Sequence, residues 1–233
     1  MSWTTRCSSA ITAPPRRPRD SNLAGVSDGC CYHSGVTDSP DSAWSGTLRT
    51  IFLDRDGVLN EKMPEGRYVT DWTEFRVLAG VPEAIARLNQ AGLRVIVVSN
   101  QRGVALGLYS AAQVEDIHSE FQKRLAGRGA HVDAFYFCPH DKKQCDCRKP
   151  LPGMFDQARR DFPDITPQTS LMIGDSLSDI EFGRGIGMRT IFIKGDPVRQ
   201  KDGADKAAQL ADRQFASLSQ AVAALLPVHQ NLA

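Results

Sequence analysis

The sequence lacks three features that would each have indicated a class of protein at once. Its longest apolar runs are only a few residues, far below the roughly 18 that a transmembrane helix needs, so we predict neither an integral membrane protein nor a membrane partner. The chain has 28 Lys and Arg and 27 Asp and Glu, so neither sign of charge dominates. This balanced charge does not argue for nucleic-acid binding. Six cysteines among 233 residues are too few for a disulfide scaffold.

Residues 1–47 differ in composition from the rest of the chain. They are rich in Ser, Thr, Gly, Pro and Asp without a periodic apolar pattern, so they cannot bury enough surface to offset the entropy of ordering. We predict a disordered extension or a misplaced translation start, with a targeting or interaction tail as the alternative. The first charges are not followed by the apolar stretch of a secretory signal. We expect no catalytic role for Cys7, Cys30 and Cys31, and one domain over residues 48–228.

From residue 48 onward, strand patterns alternate with helix patterns. Apolar residues at helical spacing predict one helix between Pro82 and Gly92, another that opens with a capping box of Ser110 and Gln113, and a last one near residues 218–225. Strands that alternate with helices favour an α/β fold, a Rossmann-like three-layer sandwich with a central parallel sheet. The predicted strands cover residues 50–53, 95–98, 135–137, 171–173 and 190–193.

Three of the predicted strands run directly into polar residues. Asp54 and Asp56 follow the first strand, Ser99 and Asn100 follow the second, and Asp175 follows the fourth. In open α/β sheets, ligands bind outside the carboxyl ends of the strands, so we expect these side chains to share one site. The two aspartates face the same side of an extended segment, and neighbouring carboxylates need a cation or a shared proton.

Residues 51–60, with the sequence I-F-L-D-R-D-G-V-L-N, resemble the first signature of the haloacid dehalogenase (HAD) superfamily of phosphohydrolases. The remaining signatures of that superfamily follow in order. Ser99 closes the next core strand, Lys149 precedes a proline, and Asp175 follows another apolar run. Each match is weak alone, but four in order beside the expected strands make coincidence a poor explanation. The resemblance implies a HAD-type fold and a phosphoric monoester hydrolase.

The resemblance also implies a role for each signature residue. Asp54 would be the nucleophile that forms an aspartyl-phosphate, and Asp56 would be the general acid and base. Asp54 and Asp175, with the backbone carbonyl of Asp56, would hold Mg²⁺, which prefers hard oxygen ligands. Ser99 and Lys149 would bind the oxygens of the phosphoryl group.

Three cysteines and one histidine lie within residues 138–147. Cys₃His is a complete tetrahedral zinc set without an open position, which is typical of a structural site. The alternatives are reduced cysteines beside an incidental histidine and a disulfide, which is uncommon in a cytoplasmic enzyme. The segment runs directly into Arg148 and Lys149, so a bound zinc would fix the loop and aim both cations at a substrate. The candidate ligands are Cys138, His140, Cys145 and Cys147.

This zinc-loop pattern, followed by C-R-K-P at residues 147–150, resembles D-glycero-D-manno-heptose-1,7-bisphosphate 7-phosphatases and the related histidinol-phosphatases. The resemblance covers roughly residues 48–226 and implies removal of the 7-phosphate from a small phosphorylated sugar. The alternatives are histidinol phosphate or another sugar phosphate as substrate and, in a different class, a non-catalytic zinc-loop binding module. The residues that the resemblance assigns to substrate binding are Gly66, Tyr68, Asn100, Gln101, Arg102 and Arg148.

The sequence departs from this family at several positions. Ser176 stands where the family often has a lysine, and the stretch between His140 and Cys145 is short, as in histidinol-phosphatases. A helical cap insertion is absent, so we expect an open site that is closed mainly by a flap over residues 61–67. Asp179 is either a carboxylate that supports the metal or an acidic residue favoured at a helix start. We expect a monomeric, cytoplasmic enzyme.

We predict no functional role for the remaining candidates, which are several glycines, aromatic residues and histidines. The glycines at 183, 185 and 187 are predicted to end a helix before the fifth strand, because no strand precedes them directly as in a phosphate-binding loop. Aromatic residues are not interleaved with Lys and Arg, which argues against nucleic-acid stacking. The histidines without acidic or thiol neighbours in sequence are predicted to be surface residues; they are His33, His118, His131 and His229.

Overall fold

A computed structural model describes residues 48–200 and 202–226; the predictions for residues 1–47 and for His229 lie outside the described residues. The strands are β1 (Thr50–Leu53), β2 (Arg94–Asn100), β3 (Ala134–Cys138), β4 (Ser170–Gly174), β5 (Arg189–Ile193) and β6 (Arg213–Phe215). They form a six-stranded sheet in the order β3-β2-β1-β4-β5-β6, and all neighbouring strands are parallel. The predicted α/β fold with a central parallel sheet is confirmed.

In residues 48–200 and 202–226, six α-helices connect and cover the strands. The helix before β2 has a proline in its first turn, as predicted, and the helix after β2 begins with the predicted capping box. In that capping box, the backbone N–H of Gln113 donates to Ser110 Oγ and the backbone N–H of Ser110 donates to Gln113 Oε1. The helices are α1 (Val81–Gln90), α2 (Ala111–Ala126), α3 (Gly153–Asp161), α4 (Leu177–Ile186), α5 (Ala204–Leu210) and α6 (Leu218–Leu225).

Alternate residues of the central strands face opposite sides of the sheet. Ile51 and Leu53 of β1 pack against α1, α2 and α6, whereas Phe52 packs against α3 and α4. Full burial of an apolar side chain of this size stabilises the fold by about 1.5–3 kcal/mol. The two cores, one on each face of the sheet, produce the three-layer sandwich.

The order of the strands along the sheet reverses its direction at β1. Strands β2 and β3 extend it on one side, and β4, β5 and β6 extend it on the other. In open α/β sheets, the crevice outside the carboxyl ends at such a switch point binds ligands. Leu53 is in register with Val97 of β2 and Ile173 of β4, so the residues that follow emerge at one level.

The connections near this crevice are short. Between β1 and α1 the chain carries a single 3₁₀ helix, Trp72–Glu74. In the part of the chain that the structure describes, no inserted group of helices forms a separate cap over the crevice. None of the helices described is long and apolar enough to span a bilayer.

The prediction for His118 was wrong, because this residue is buried. It lies on α2 with 1% of its surface exposed, and its ring stacks on Phe135 with centroids 4.5 Å apart. The position continues the apolar stripe of Val114 and Phe121, a periodicity that predicts burial whatever the residue type. Burial, followed by the charge of Arg55, lowers the pKa of His118 to about 3, so the ring is neutral.

The prediction for the glycines before β5 was correct for Gly187 only. Gly187 ends α4 with φ 88°, while Gly183 and Gly185 lie inside the helix. A Cβ on Gly183 would lie 2.6 Å from Thr190 Cγ2, so this glycine lets α4 approach the sheet. Three short elements, α3, α5 and β6, were not predicted, since their apolar patterns are too brief to distinguish them from loops.

Gly174, the last residue of β4, has no room for a side chain. A Cβ there would lie 2.2 Å from Cβ of Asp179. We expect Gly174→Ala to lower the free energy of unfolding by about 1–3 kcal/mol, because the strand or Asp179 must shift. Gly185→Ala is the matched control: its Cβ meets nothing within 4 Å, and it should raise stability by about 0.5–1 kcal/mol. Urea denaturation measures both, and similar effects of the two changes would contradict the packing described.

Candidate active site

Lys149 joins the loop after β3 to the carboxyl ends of β1 and β2. Its Nζ donates to Asp54 Oδ1 at 2.8 Å and to the backbone carbonyl of Val98 at 2.6 Å, and it lies 2.6 Å from Asp179 Oδ1. Lys149 is 3% exposed. Burial alone would lower the pKa of Lys149, but the charges of Asp179 and Asp54 outweigh burial and raise it. The ammonium group is therefore a fixed positive charge beside Asp54.

Asp56 is held by three side-chain donors. Arg55 donates to both of its oxygens at 3.0 Å, Asn60 donates to Oδ1 at 3.0 Å, and Gln101 donates to Oδ2 at 3.0 Å. Burial would raise the pKa of Asp56, but the charge of Arg55 and these hydrogen bonds outweigh it and lower the pKa below its usual value. Asp56 is therefore a carboxylate with one orientation in the free protein.

Gln101 links Asp56 to two other residues of the crevice. Its Nε2 also donates to Ser99 Oγ at 2.7 Å, and its Oε1 accepts from the hydroxyl of Tyr109 at 2.7 Å. Ser99 and Gln101 are both buried. The amide of Gln101, which was predicted to bind substrate, thus forms hydrogen bonds within the protein to Asp56, Ser99 and Tyr109.

Asp175 lies beside Asp54 and pairs with a lysine that sequence reasoning missed. Lys62 Nζ contacts Asp175 Oδ2 at 2.5 Å, and both side chains are 8% exposed. Burial, together with the charges of Asp54 and Asp179, raises the pKa of Asp175 to about 7 in spite of Lys62. Lys62 follows Asn60 by two residues in a segment without regular structure, so no spacing or periodicity in the sequence pointed to it.

Asp179 lies at the start of α4, which was one of its two predicted roles. It accepts hydrogen bonds from the backbone N–H and the hydroxyl of Ser176, at 3.0 Å and 2.6 Å, and so caps α4. It also pairs with Lys149 and is completely buried. Oxygens of Asp54, Asp175 and Asp179 all lie within 4.8 Å of one another, a group that could hold a metal ion.

Arg55 is a second residue of the crevice that sequence reasoning passed over. It is 1% exposed, packs its guanidinium group over the ring of Phe75 at 5.8 Å, and pairs with Asp56. A charged residue between two signature aspartates is a signal that could have been used, because a buried arginine requires a carboxylate partner.

The four predicted zinc ligands converge. Their donor atoms lie within 4.8 Å of one another, with Cys138 Sγ 3.5 Å from Cys145 Sγ and His140 Nδ1 3.3 Å from Cys147 Sγ. A tetrahedron with metal–sulfur bonds of about 2.3 Å has edges of about 3.8 Å, so the group needs only a slight expansion to hold zinc. A hydrogen bond from Cys147, acting against burial, lowers the pKa of Cys138 to about 5, which favours the thiolate.

Both arginines that were predicted to bind substrate contact this loop. Arg102 Nε donates to Asp141 Oδ1 at 2.5 Å, and Arg148 donates to the backbone carbonyl of His140 at 3.4 Å. The hydrogen bond to Asp141, followed by the charge of that carboxylate, raises the pKa of Arg102 above its usual value. The geometry of both guanidinium groups thus depends on the loop at residues 138–147.

The other predicted substrate-binding residues occupy different places. Asn100 donates from its amide to the carbonyl of Lys149 at 3.1 Å and accepts from its N–H at 3.0 Å, so it fixes that backbone. Tyr68 lies against Tyr109 with ring centroids 6.0 Å apart. Gly66 is exposed in the flap, with φ 77°.

Comparison with known proteins identifies the class. The family model of HAD-hydrolase-like proteins matches residues 146–221. A solved structure of D,D-heptose 1,7-bisphosphate phosphatase from B. bronchiseptica, complexed with magnesium and phosphate, is 32% identical with a TM-score of 0.66, covering 75% of this chain and 96% of that one. The chain belongs to the HAD-type phosphatases, which are phosphoric monoester hydrolases.

Curated relatives identify one family within the HAD-type phosphatases. The D-glycero-alpha-D-manno-heptose-1,7-bisphosphate 7-phosphatase of Mycobacterium bovis is 39% identical over 169 residues, 72% of this chain and 86% of the relative. The D-glycero-beta-D-manno-heptose-1,7-bisphosphate 7-phosphatase of Escherichia coli K12 is 35% identical over 186 residues, 76% of this chain and 94% of the relative. The chain belongs to the D-glycero-D-manno-heptose-1,7-bisphosphate 7-phosphatase family.

The contact between Tyr109 and Gln101 yields a test of the polar network. We expect Tyr109→Phe to lower the free energy of unfolding by about 1 kcal/mol, because Gln101 Oε1 loses its donor in a buried place while the ring still packs. Tyr68→Phe, which changes the neighbouring ring in the same way, serves as the control and should have a smaller effect. Urea unfolding of both variants provides the comparison, and equal values would contradict the assigned hydrogen bond.

Proposed function

We propose that the protein hydrolyses the 7-phosphate of D-glycero-D-manno-heptose 1,7-bisphosphate through an aspartyl-phosphate intermediate, with residues 48–228 as the catalytic domain. The observation that carries the proposal is the position of Asp54, whose carboxylate has the ammonium group of Lys149 at 2.8 Å and Asp175 beside it. A nucleophilic carboxylate flanked by a cation and a metal-binding carboxylate suits phosphoryl transfer, where positioning and charge neutralisation dominate. We also propose that the protein is a monomer and that it acts in the cytoplasm.

The residues fit a magnesium ion as follows. Asp179 is paired with Lys149 and Ser176. Asp54 and Asp175 each direct one carboxylate oxygen to a lysine, so the second oxygen of each could bind the ion. Those two oxygens, with the backbone carbonyl of Asp56, would hold Mg²⁺, which favours hard oxygen ligands. When bound, the ion would neutralise negative charge on the transferring phosphoryl group.

Two half-reactions follow from these positions. In the first, an oxygen of Asp54 attacks the phosphorus, the bond between phosphorus and the sugar oxygen breaks, and Asp56 gives its proton to that leaving oxygen. In the second, Asp56 takes a proton from water, and the water oxygen attacks the phosphorus of the aspartyl-phosphate. Asp54 is thereby regenerated and inorganic phosphate leaves.

The environment of Asp56 fits its second role more directly than its first. Arg55, Asn60 and Gln101 keep Asp56 ionised in the free protein, which is the form that activates water. The phosphate dianion of the substrate brings negative charge next to Asp56, and a nearby like charge raises a carboxyl pKa. Substrate binding therefore supplies the condition under which Asp56 is protonated for the first step.

Recognition of the sugar is assigned to groups around the crevice. Arg148 and Arg102 would contact polar or anionic parts of the substrate, and the flap with Gly66 and Tyr68 would cover it. Ser99, next to Asp56 through Gln101, would bind a phosphoryl oxygen. Because the described part of the chain has a flap but no separate cap over the crevice, specificity must come from these few side chains.

The loop at residues 138–147 would hold a structural zinc ion through Cys138, His140, Cys145 and Cys147. Four donors leave no open coordination position, so the ion would stabilise the loop rather than take part in the reaction. The loop carries Asp141 and leads into Arg148, so the ion would set the positions of the cations nearest the substrate.

A substrate panel tests the proposed activity. We expect kcat/KM for the heptose 1,7-bisphosphate to exceed that for histidinol phosphate by about 10²-fold or more, since discrimination is a ratio of kcat/KM values. Phosphate release is measured for both anomers of the heptose, for histidinol phosphate and for other sugar phosphates. A higher kcat/KM for histidinol phosphate would replace the proposed substrate without changing the chemistry.

The same assay tests the mechanism with one variant. Asp54→Asn should lower kcat by about 10³-fold or more because the nucleophile is lost, and EDTA should abolish turnover until Mg²⁺ is restored. Asp116→Asn, the same change at an exposed position of α2, is the control and should be fully active. Full activity of Asp54→Asn would overturn the mechanism, and no turnover on any phosphomonoester would favour a binding module.

Zinc content is tested separately by elemental analysis of the purified protein. We expect about one zinc per chain in the unmodified protein and almost none in Cys147→Ser, together with reduced kcat, because the loop that precedes Lys149 loses its tether. The control replaces Cys7, Cys30 and Cys31 with serine and should retain the zinc. Full activity of a zinc-free Cys147→Ser protein would contradict the proposed role of the ion.

A further inference from the structure

The carboxylates at the edge of the sheet are matched by two lysines that approach from different parts of the chain. Lys149 comes from the loop after β3 and contacts Asp54 and Asp179. Lys62 comes from the segment after β1 and contacts Asp175. The HAD signatures include Lys149, but Lys62 lies outside all four of them, and nothing in the proposed reaction so far uses it.

Two contacts hold one oxygen of Asp175 and leave the other available. Oδ2 accepts from Lys62 Nζ at 2.5 Å, and a Cβ built on Gly57 would lie 2.1 Å from the same oxygen, so the Gly57 backbone is packed against it. A side chain at Gly57 would therefore displace the carboxylate. Because Gly57 and Lys62 enclose Oδ2, the carboxylate has one orientation, and neither of these contacts involves Oδ1.

Lys62 is itself anchored, which makes it suitable for positioning another group. Arg199 donates to the Lys62 backbone carbonyl at 2.5 Å, and the preceding residue is held by Asn60, whose amide donates to the Glu61 carbonyl at 2.9 Å. Glu61 also donates its N–H to the Arg76 carbonyl at 2.8 Å. The backbone at residues 61–62 is therefore fixed from two sides.

We infer that Lys62 is a positioning residue for the divalent cation: it holds Asp175 Oδ2 so that Asp175 Oδ1 and Asp54 face the ion together. This inference rests on the metal site of the proposed function. The two effects of removing Lys62, loss of positioning and loss of charge repulsion, change the affinity for the cation in opposite directions. Coulomb repulsion alone would make loss of Lys62 tighten cation binding, whereas loss of the positioning contact weakens it.

Manganese binding measures this directly, without substrate or turnover. The full-length protein and its variants are titrated with Mn²⁺, and free Mn²⁺ is followed by electron paramagnetic resonance. We expect Lys62→Met to raise the Kd for Mn²⁺ by about 10-fold or more, as loss of a partner that orients a metal ligand typically does. Lys62→Arg, which keeps a cationic donor, should recover most of the lost affinity.

A matched charge control separates positioning from electrostatics. Lys194 lines the same cavity of about 200 Å³ as Lys62 and Asp175, so Lys194→Met removes an equal charge from that cavity. We expect its Kd for Mn²⁺ to equal that of the unmodified protein or to be lower. In steady-state kinetics, Lys62→Met should raise the Mg²⁺ concentration needed for half-maximal rate, with kcat at saturating Mg²⁺ and the KM for substrate nearly unchanged.

The outcomes distinguish this inference from the proposed function. An unchanged or lower Kd in Lys62→Met, or an equal rise in Lys194→Met, would overturn the positioning role. Asp175→Asn tests the metal site itself: if its Kd equals that of the unmodified protein, the proposed ligands are wrong. Far-UV circular dichroism shows whether each variant is folded. Lys62→Arg and Lys62→Met are then compared at equal content of folded protein. If Lys62→Arg does not bind Mn²⁺ more tightly than Lys62→Met, the inference is overturned.

Discussion

The ammonium group of Lys149 holds two buried carboxylates, Asp54 and Asp179, at the carboxyl edge of the sheet. Asp175 stands beside them with its own lysine, so each of the three carboxylates has a cationic partner in a place largely shielded from water. Unpaired buried charges are costly, and removing one partner from such a pair typically costs about 3–5 kcal/mol. The arrangement of the crevice depends on this balance, since any carboxylate left without a cation would protonate or move.

The support of Lys149 extends well beyond its own side chain. Asn100 fixes its backbone from the end of β2, and the loop at residues 138–147 ends two residues before it. The same loop orients Arg102 through Asp141. A structural ion in that loop would therefore act on phosphate binding at a distance, through the loop backbone and the contact between Asp141 and Arg102.

Much of this architecture was predictable from the sequence, and the exceptions have physical reasons. The order of strands and helices and the meeting of Asp54, Ser99 and Asp175 follow from apolar periodicity and from the geometry of parallel sheets. Contacts made by irregular segments could not be predicted, because no periodicity links Lys62 to Asp175, 113 residues later. His118 was misjudged from its residue type, although its helical position favoured burial. Short elements such as β6 carry too few apolar residues to be distinguished from loops.

The covalent step at Asp54 is the central claim, and a crystal structure with Mg²⁺ and beryllium fluoride tests it most directly. Beryllium fluoride bonds to a carboxylate oxygen in place of a phosphoryl group and mimics the aspartyl-phosphate. We expect beryllium to bond to an oxygen of Asp54, with Lys149 and Ser99 contacting the fluorides and Asp175 binding the magnesium ion. Beryllium fluoride bound at another residue, or an Asp54 carboxylate turned away from it, would contradict the account.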